Sequence, residues 1–219
     1  IHKCMNKSDI LDFVSNNAYK EVDVILKICG YIVEELNDDL KVYVKWGESF
    51  YPLSKSTNYT NGRKCDVQFL SMSGVNVGEW EFSAKITATR IISDRCYSAR
   101  INQSILNGLL EYNLSDEQAE NICVPFLQFD GTSGQLLIEN LVEGFYIVFP
   151  GPKFELPTKL RDIRKLKTSV CIIKSAMDMY KKTCEIIENL ETTHHEFEDI
   201  FSEDEINTTK PMHYKYKYA

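Results

Sequence analysis

Two stretches with period-two patterning, residues 64–72 and 75–86, flank a Ser73-Gly74 pair. Period two sends alternate side chains to opposite faces of a strand, and Ser-Gly is turn chemistry, so this segment is predicted to be a β-hairpin. On its second strand Glu79, Glu81, Ser83 and Lys85 share one face, while Trp80, Phe82, Ala84 and Ile86 share the other. Val75 and Val77 break that parity, which marks Gly78 as a site for a bulge or kink. Two neighbouring glutamates cannot be buried bare, because like-charge repulsion and desolvation both oppose it. They must bind a metal, pair with Lys85 or an arginine, or face water.

Around the hairpin the pattern alternates helix and strand. Residues 8–36 read as helical, with Val22, Ile25, Cys29, Ile32 and Leu36 on one face and a break near Asn16-Asn17. Residues 40–46 alternate as a strand, and 47–63, rich in Ser, Asn, Thr and Gly, read as a long loop. A helix is predicted over 91–111, then strands over 124–129, 135–141 and 145–149. Asp130-Gly131 and Glu143-Gly144 supply the turns between those strands, and Pro150, Pro152 and Pro157 break the pattern. Thr158 is a candidate N-cap for a last long helix. In it Leu166, Val170, Ile173, Met177, Tyr180, Cys184 and Ile187 form a stripe at spacings of four and three, expected to pack on a sheet rather than form a coiled coil. The expectation is an α+β or α/β domain with a mixed β-sheet flanked by helices and a long C-terminal helix. It comprises residues 1–190 as one domain, then a flexible tail over 191–219, acidic first and rich in Tyr and Lys at its end.

Charge is polarised along the chain. The net charge is -7, yet residues 158–182 hold eight basic side chains against Asp162 and Asp178, and residues 183–205 hold nine acids and no Lys or Arg. A basic helix of this kind, with Lys159, Arg161, Arg164, Lys165 and Lys167 at its start, suits a polyanion such as nucleic acid. Seven scattered cysteines show no C-x-x-C pair and no zinc spacing, which fits reduced thiols and an intracellular, nuclear or cytoplasmic setting. No apolar run reaches the roughly 20 residues of a membrane span, so no membrane partner is expected. All four histidines lie toward the chain ends, which argues against a Ser/His/Asp or Cys/His triad. Asp130-Gly-Thr-Ser-Gly134 lacks the P-loop pattern and reads as a turn.

Metal-dependent phosphodiester cleavage needs carboxylates held a few ångströms apart around Mg²⁺, with a lysine nearby to position water. A hairpin can provide this, with one acid on its first strand and two groups at i and i+2 on its second. Asp66 and Gly78-Glu79-Trp80-Glu81 have this arrangement. Over about residues 8–130 the chain resembles the PD-(D/E)xK nuclease superfamily, the restriction-endonuclease-like fold, as a degenerate member. The strings Lys45-Trp46-Gly47-Glu48, Gly62-Arg63-Lys64-Cys65-Asp66-Val67, Gly78-Glu79-Trp80-Glu81, Asp94-Arg95 and Val124-Pro125-Phe126-Leu127-Gln128-Phe129 also resemble an uncharacterised protein group of mucoralean fungi.

The superfamily resemblance implies Asp66, Glu79 and Glu81 as metal ligands, with Lys85 completing a catalytic set and Mg²⁺ or Mn²⁺ as cofactor. It departs at Glu81, where the family's lysine would stand. Lys85 lies about 13 Å along the strand from Glu81, so Arg95 or Arg100 is the nearer substitute. What the resemblance implies is a catalytically impaired nuclease-like module that binds nucleic acid or protein. The alternatives are an active Mg²⁺-dependent nuclease with a displaced lysine, and an assembly subunit that docks a protein partner through its C-terminal helix or tail.

Overall fold

The computed structural model describes residues 29–37, 41–51, 63–83, 87–157 and 160–201. Six strands form one mixed sheet in the order β1-β2-β3-β4-β5-β6. They are β1 (Tyr43–Tyr51), β2 (Arg63–Leu70), β3 (Asn76–Ser83), β4 (Val124–Asp130), β5 (Ser133–Val142) and β6 (Phe145–Glu155). Every neighbouring pair is antiparallel except β3 and β4, which run parallel with Glu81 opposite Gln128 and Ser83 opposite Asp130. A parallel pair needs a crossover, and α2 (Ala88–Leu110) with the short α3 (Asp116–Asn121) makes it. Helix α1 (Gly30–Asn37) and the long α4 (Arg164–Phe201), preceded by a 3₁₀ turn at Leu160–Asp162, complete the described chain. The expected α+β architecture, with its mixed sheet, flanking helices and long last helix, is what the chain adopts.

Layering follows the parity of β3. Trp80 and Phe82 face α4, whose Ile173, Met177, Tyr180, Cys184 and Ile187 are buried against them. Phe69 stacks on Tyr180 at 4.4 Å between ring centroids, and Phe82 stacks on Phe129 at 4.2 Å. Glu79 faces α2 on the opposite side. The stripe read from the sequence of α4 is therefore occupied within the domain's own core.

Gly78 is required by close approach. A Cβ there would lie 2.2 Å from the Tyr180 ring. The Val75/Val77 parity break is a bulge, because the β2–β3 register shifts by one residue between Phe69↔Gly78 and Leu70↔Asn76. The turn itself closes through Ser71 and Val75, with Gly74 at φ +86°.

Three boundaries differ from expectation. Strand β1 continues into the stretch read as a loop, because Gly47 (φ +94°) absorbs a bulge opposite β2 and pairing resumes at Ser49. Strand β6 runs through Pro150 and Pro152. It is an edge strand, where a missing N–H costs no ladder bond, and the register shifts beside the first proline. Helix α4 extends to Phe201, into the stretch read as a tail. The predicted helix before residue 29, the Thr158 cap and residues 202–219 lie outside the described residues. Among the described residues no helix is long and apolar enough to cross a membrane.

Candidate functional site

The acidic row grows from the hairpin. Gln68 pairs with Glu79 across the β2–β3 ladder, so both point toward α2. The ladder's last backbone pair is Val67 with Trp80. Beyond it Asp66 takes over, its Oδ2 accepting the Phe82 amide at 2.8 Å. Glu79 is fully buried. One turn apart on α2, Ser98 and Asn102 face it, and Asn102 Nδ2 donates to Glu79 Oε1 at 3.1 Å and to the Ser98 carbonyl at 3.0 Å. Burial pushes the Glu79 carboxyl up to about 8, and the Asp66 charge adds to the rise. The Ser98 hydroxyl and Asn102 amide pull it partway back, although Ser98 Oγ stops short of hydrogen-bond geometry. Glu79 Oε2 is buried without a hydrogen bond. Burial therefore favours the protonated form of Glu79. Next to it, burial raises the Cys65 thiol strongly, and the charges of Glu79, Glu81 and Asp66 raise it further.

These residues fit a divalent cation poorly as arranged. Mg²⁺ keeps several waters and is held by ionised carboxylates. Here Glu79 is sealed from solvent and bonded to a side-chain amide, while one oxygen of Asp66 serves a backbone amide. Among the described residues no group of three or more His, Cys, Asp or Glu side chains is disposed to hold a metal. Lys85 lies outside the described residues. Neither arginine stands in for it on the row. Arg100 is exposed on the outer side of α2, and Arg95 is held one strand away.

That Arg95 site was not legible from motifs. Its Nε donates to Gln128 Oε1 at 2.8 Å and its Nη2 to Gln135 Oε1 at 2.7 Å. The two glutamines face each other across β4 and β5, and their own amides bond the Ile91 and Gly151 carbonyls. A second buried acid, Glu139 on β5, is pushed up to about 8 by burial alone, and its Oε2 has no hydrogen bond. The only signal of this polar seam in the sequence was single polar letters in otherwise apolar strands, as in Val124-Pro-Phe-Leu-Gln128-Phe129.

The basic cluster sits at the opening of α4. Arg161, Arg164, Lys165 and Lys167 are all exposed, and Lys159 lies outside the described residues. Lys165 pairs with Glu155 of β6, whereas Arg161, Arg164 and Lys167 make no ion pair among the described residues. Further along α4, Lys174 and Lys181 pair with Asp178 and Glu185 on the next turn. The described cysteines are all free thiols. No family model, curated protein or solved structure matches the chain.

Proposed function

We propose that the protein is a nuclease-like domain of the PD-(D/E)xK kind that does not cleave, and that it binds nucleic acid along the basic opening of α4. The observation that carries the first half is Glu79. The residue that would hold the metal is enclosed under α2 and bonded to Asn102, and burial favours its protonated form. Glu81 beside it adds negative charge where the chemistry of a phosphate needs positive. A missing electrostatic group of this type removes about 3 kcal/mol of transition-state stabilisation, on the order of 10²-fold in rate.

Support for the second half is the run of exposed cations Arg161, Arg164 and Lys167 within two turns of chain, none in an ion pair among the described residues. Each phosphate they neutralise releases a counterion, so log affinity falls with log salt at about 0.9 per contact. Anisotropy titrations of short duplex DNA and RNA at several salt concentrations test this. The expected outcome is binding with a log–log slope near three, abolished by R161E/R164E/K167E. Absence of binding at low salt overturns the nucleic-acid reading. The chemical half is tested by incubation with Mg²⁺ or Mn²⁺, and no cleavage is expected. Mn²⁺-dependent cutting that disappears in Asp66→Ala overturns it, and Glu81→Lys is the variant in which residual activity would surface.

A further inference from the structure

A cavity of about 720 Å³ opens where the parallel strands end. Its walls carry Arg95, Lys153 and Lys165, the carboxylates of Asp130 and Glu155, and the hydroxyls of Ser133 and Thr168, over a floor that includes Ile91, Gly134 and Phe154. Asp130 closes β4 opposite Ser83 of β3, and the Gly131 amide bonds the Ser83 carbonyl, so the cavity lies just outside the carboxyl ends of the β3/β4 pair. In open sheets with parallel strands this is where ligands bind, because the crossover leaves a crevice there.

The chemistry of the walls is selective. Three cations project from three different elements: Arg95 from α2, Lys153 from β6 and Lys165 from α4. Arg95 is locked in place by its two glutamine partners, which lowers the entropy cost of presenting its guanidinium. Ser133 and Thr168 add hydroxyl donors. On the same walls Asp130 and Glu155 present carboxylates. A phosphate alone would offer those acceptors no donor. A ligand with a phosphate at one end and N–H or O–H groups at the other satisfies both, and the volume is that of a nucleotide rather than a bare anion.

The geometry points to a nucleotide-binding pocket in which Arg95 and Lys153 hold a terminal phosphate, beside the Lys165–Glu155 ion pair, and the wall carboxylates accept from the sugar or base. The pocket deepens the nucleic-acid reading and rests on it for one source of its ligand, the phosphorylated end of a strand. A free mononucleotide is the other source.

Calorimetry on the full chain decides the matter with four probes: adenosine 5′-monophosphate, adenosine, a short single strand with a 5′-phosphate, and the same strand with a 5′-hydroxyl. Each phosphorylated probe is expected to bind at least about tenfold tighter than its counterpart, because charge-assisted bonds to the phosphate are the strong ones. Lys153→Glu should remove that preference; the side chain is exposed, so the fold is not at stake. Thr168→Glu, also exposed, is the second variant and should do the same. Tighter binding of the strand than of the mononucleotide assigns the pocket to strand ends, and the reverse assigns it to free nucleotides. Equal affinity for phosphorylated and unphosphorylated probes overturns the pocket, as does a preference that survives both variants. Duplex binding by α4 with no preference for a 5′-phosphate on either strand or mononucleotide sinks the pocket alone. Mononucleotide binding without duplex binding sinks the α4 surface alone.

Discussion

The two faces of one sheet are built on opposite terms. Toward α4 the interior is aromatic and aliphatic: Phe69, Trp80, Phe82, Phe129 and Tyr180 interlock. Tyr180 supplies the layer's polar handle, its hydroxyl accepting from Trp80 Nε1 at 3.0 Å and donating to the Pro125 carbonyl. Toward α2 the interior holds Glu79, Gln68, Gln128, Gln135, Glu139, Ser98 and Asn102, all buried. Burying such groups costs free energy unless each finds a partner, and some here do not. The second face sets these polar groups among the buried Ile101, Ile105 and Leu109 of α2, which is the pattern expected where polar groups are kept for a reason other than stability.

The sharpest way to break the apolar face is at its tightest contact. Gly78→Ala drives a methyl into the Tyr180 ring, and Tyr180→Ala removes a fully buried aromatic with two hydrogen bonds. Tyr180→Ala should cost about 3–5 kcal/mol and Gly78→Ala about 1–3 kcal/mol, read as a drop in the midpoint of chemical unfolding. Paired together, Gly78→Ala with Tyr180→Ala should cost less than the sum, because the clash partner is gone. A fully additive pair would refute the close-approach explanation for Gly78.

The polar face makes a pH prediction. Glu79 and Glu139 both have pKa values raised in the folded state to about 8, from an ordinary value of 4.5. Between those limits the folded state holds more protons than the unfolded chain, so stability falls as pH rises. Thermal midpoints should therefore be highest below about pH 4.5, as far as these two groups decide it, and decline toward pH 8. Glu79→Gln keeps an acceptor for Asn102 and removes the ionisation. It should raise the midpoint at pH 8 by several degrees and leave it nearly unchanged at pH 5. An equal shift at both pH values would show that Glu79 is not the titrating group.

The smallest effect is expected at the surface. Lys165→Ala breaks the ion pair with Glu155, yet both side chains are about half exposed and such pairs add little. The unfolding midpoint should not move measurably. A clear destabilisation would mean that the opening of α4 is held by its charges rather than by the Ile173–Ile187 stripe.

Much of this was legible in the sequence, because it is local. Period two at β3 assigned Glu79 and Trp80 to opposite faces, Ser73-Gly74 and Glu143-Gly144 announced their turns, and the stripe in α4 announced a packed helix. The parity break at Val77 even marked its bulge. Errors fell where a local signal had a second meaning. Pro150 and Pro152 read as terminators and are tolerated because β6 is an edge. Gly47 read as the start of a loop and instead lets β1 bend and continue.

What the sequence determined by itself, then, was the set of elements and which face of each is apolar, since both follow from spacing along a few consecutive residues. Only the tertiary structure decided the chemistry of the acids and the location of the cavity. Glu79 is pushed toward its protonated form because it is buried under α2, whose Asn102, 23 residues away, pulls the other way through its hydrogen bond. Arg95 is fixed by glutamines 33 and 40 residues distant. Gly78 is obligatory because of a tyrosine about a hundred residues on. Desolvation and side-chain partnership are properties of neighbours in space, and the chain records them only as isolated polar letters whose partners no spacing rule identifies.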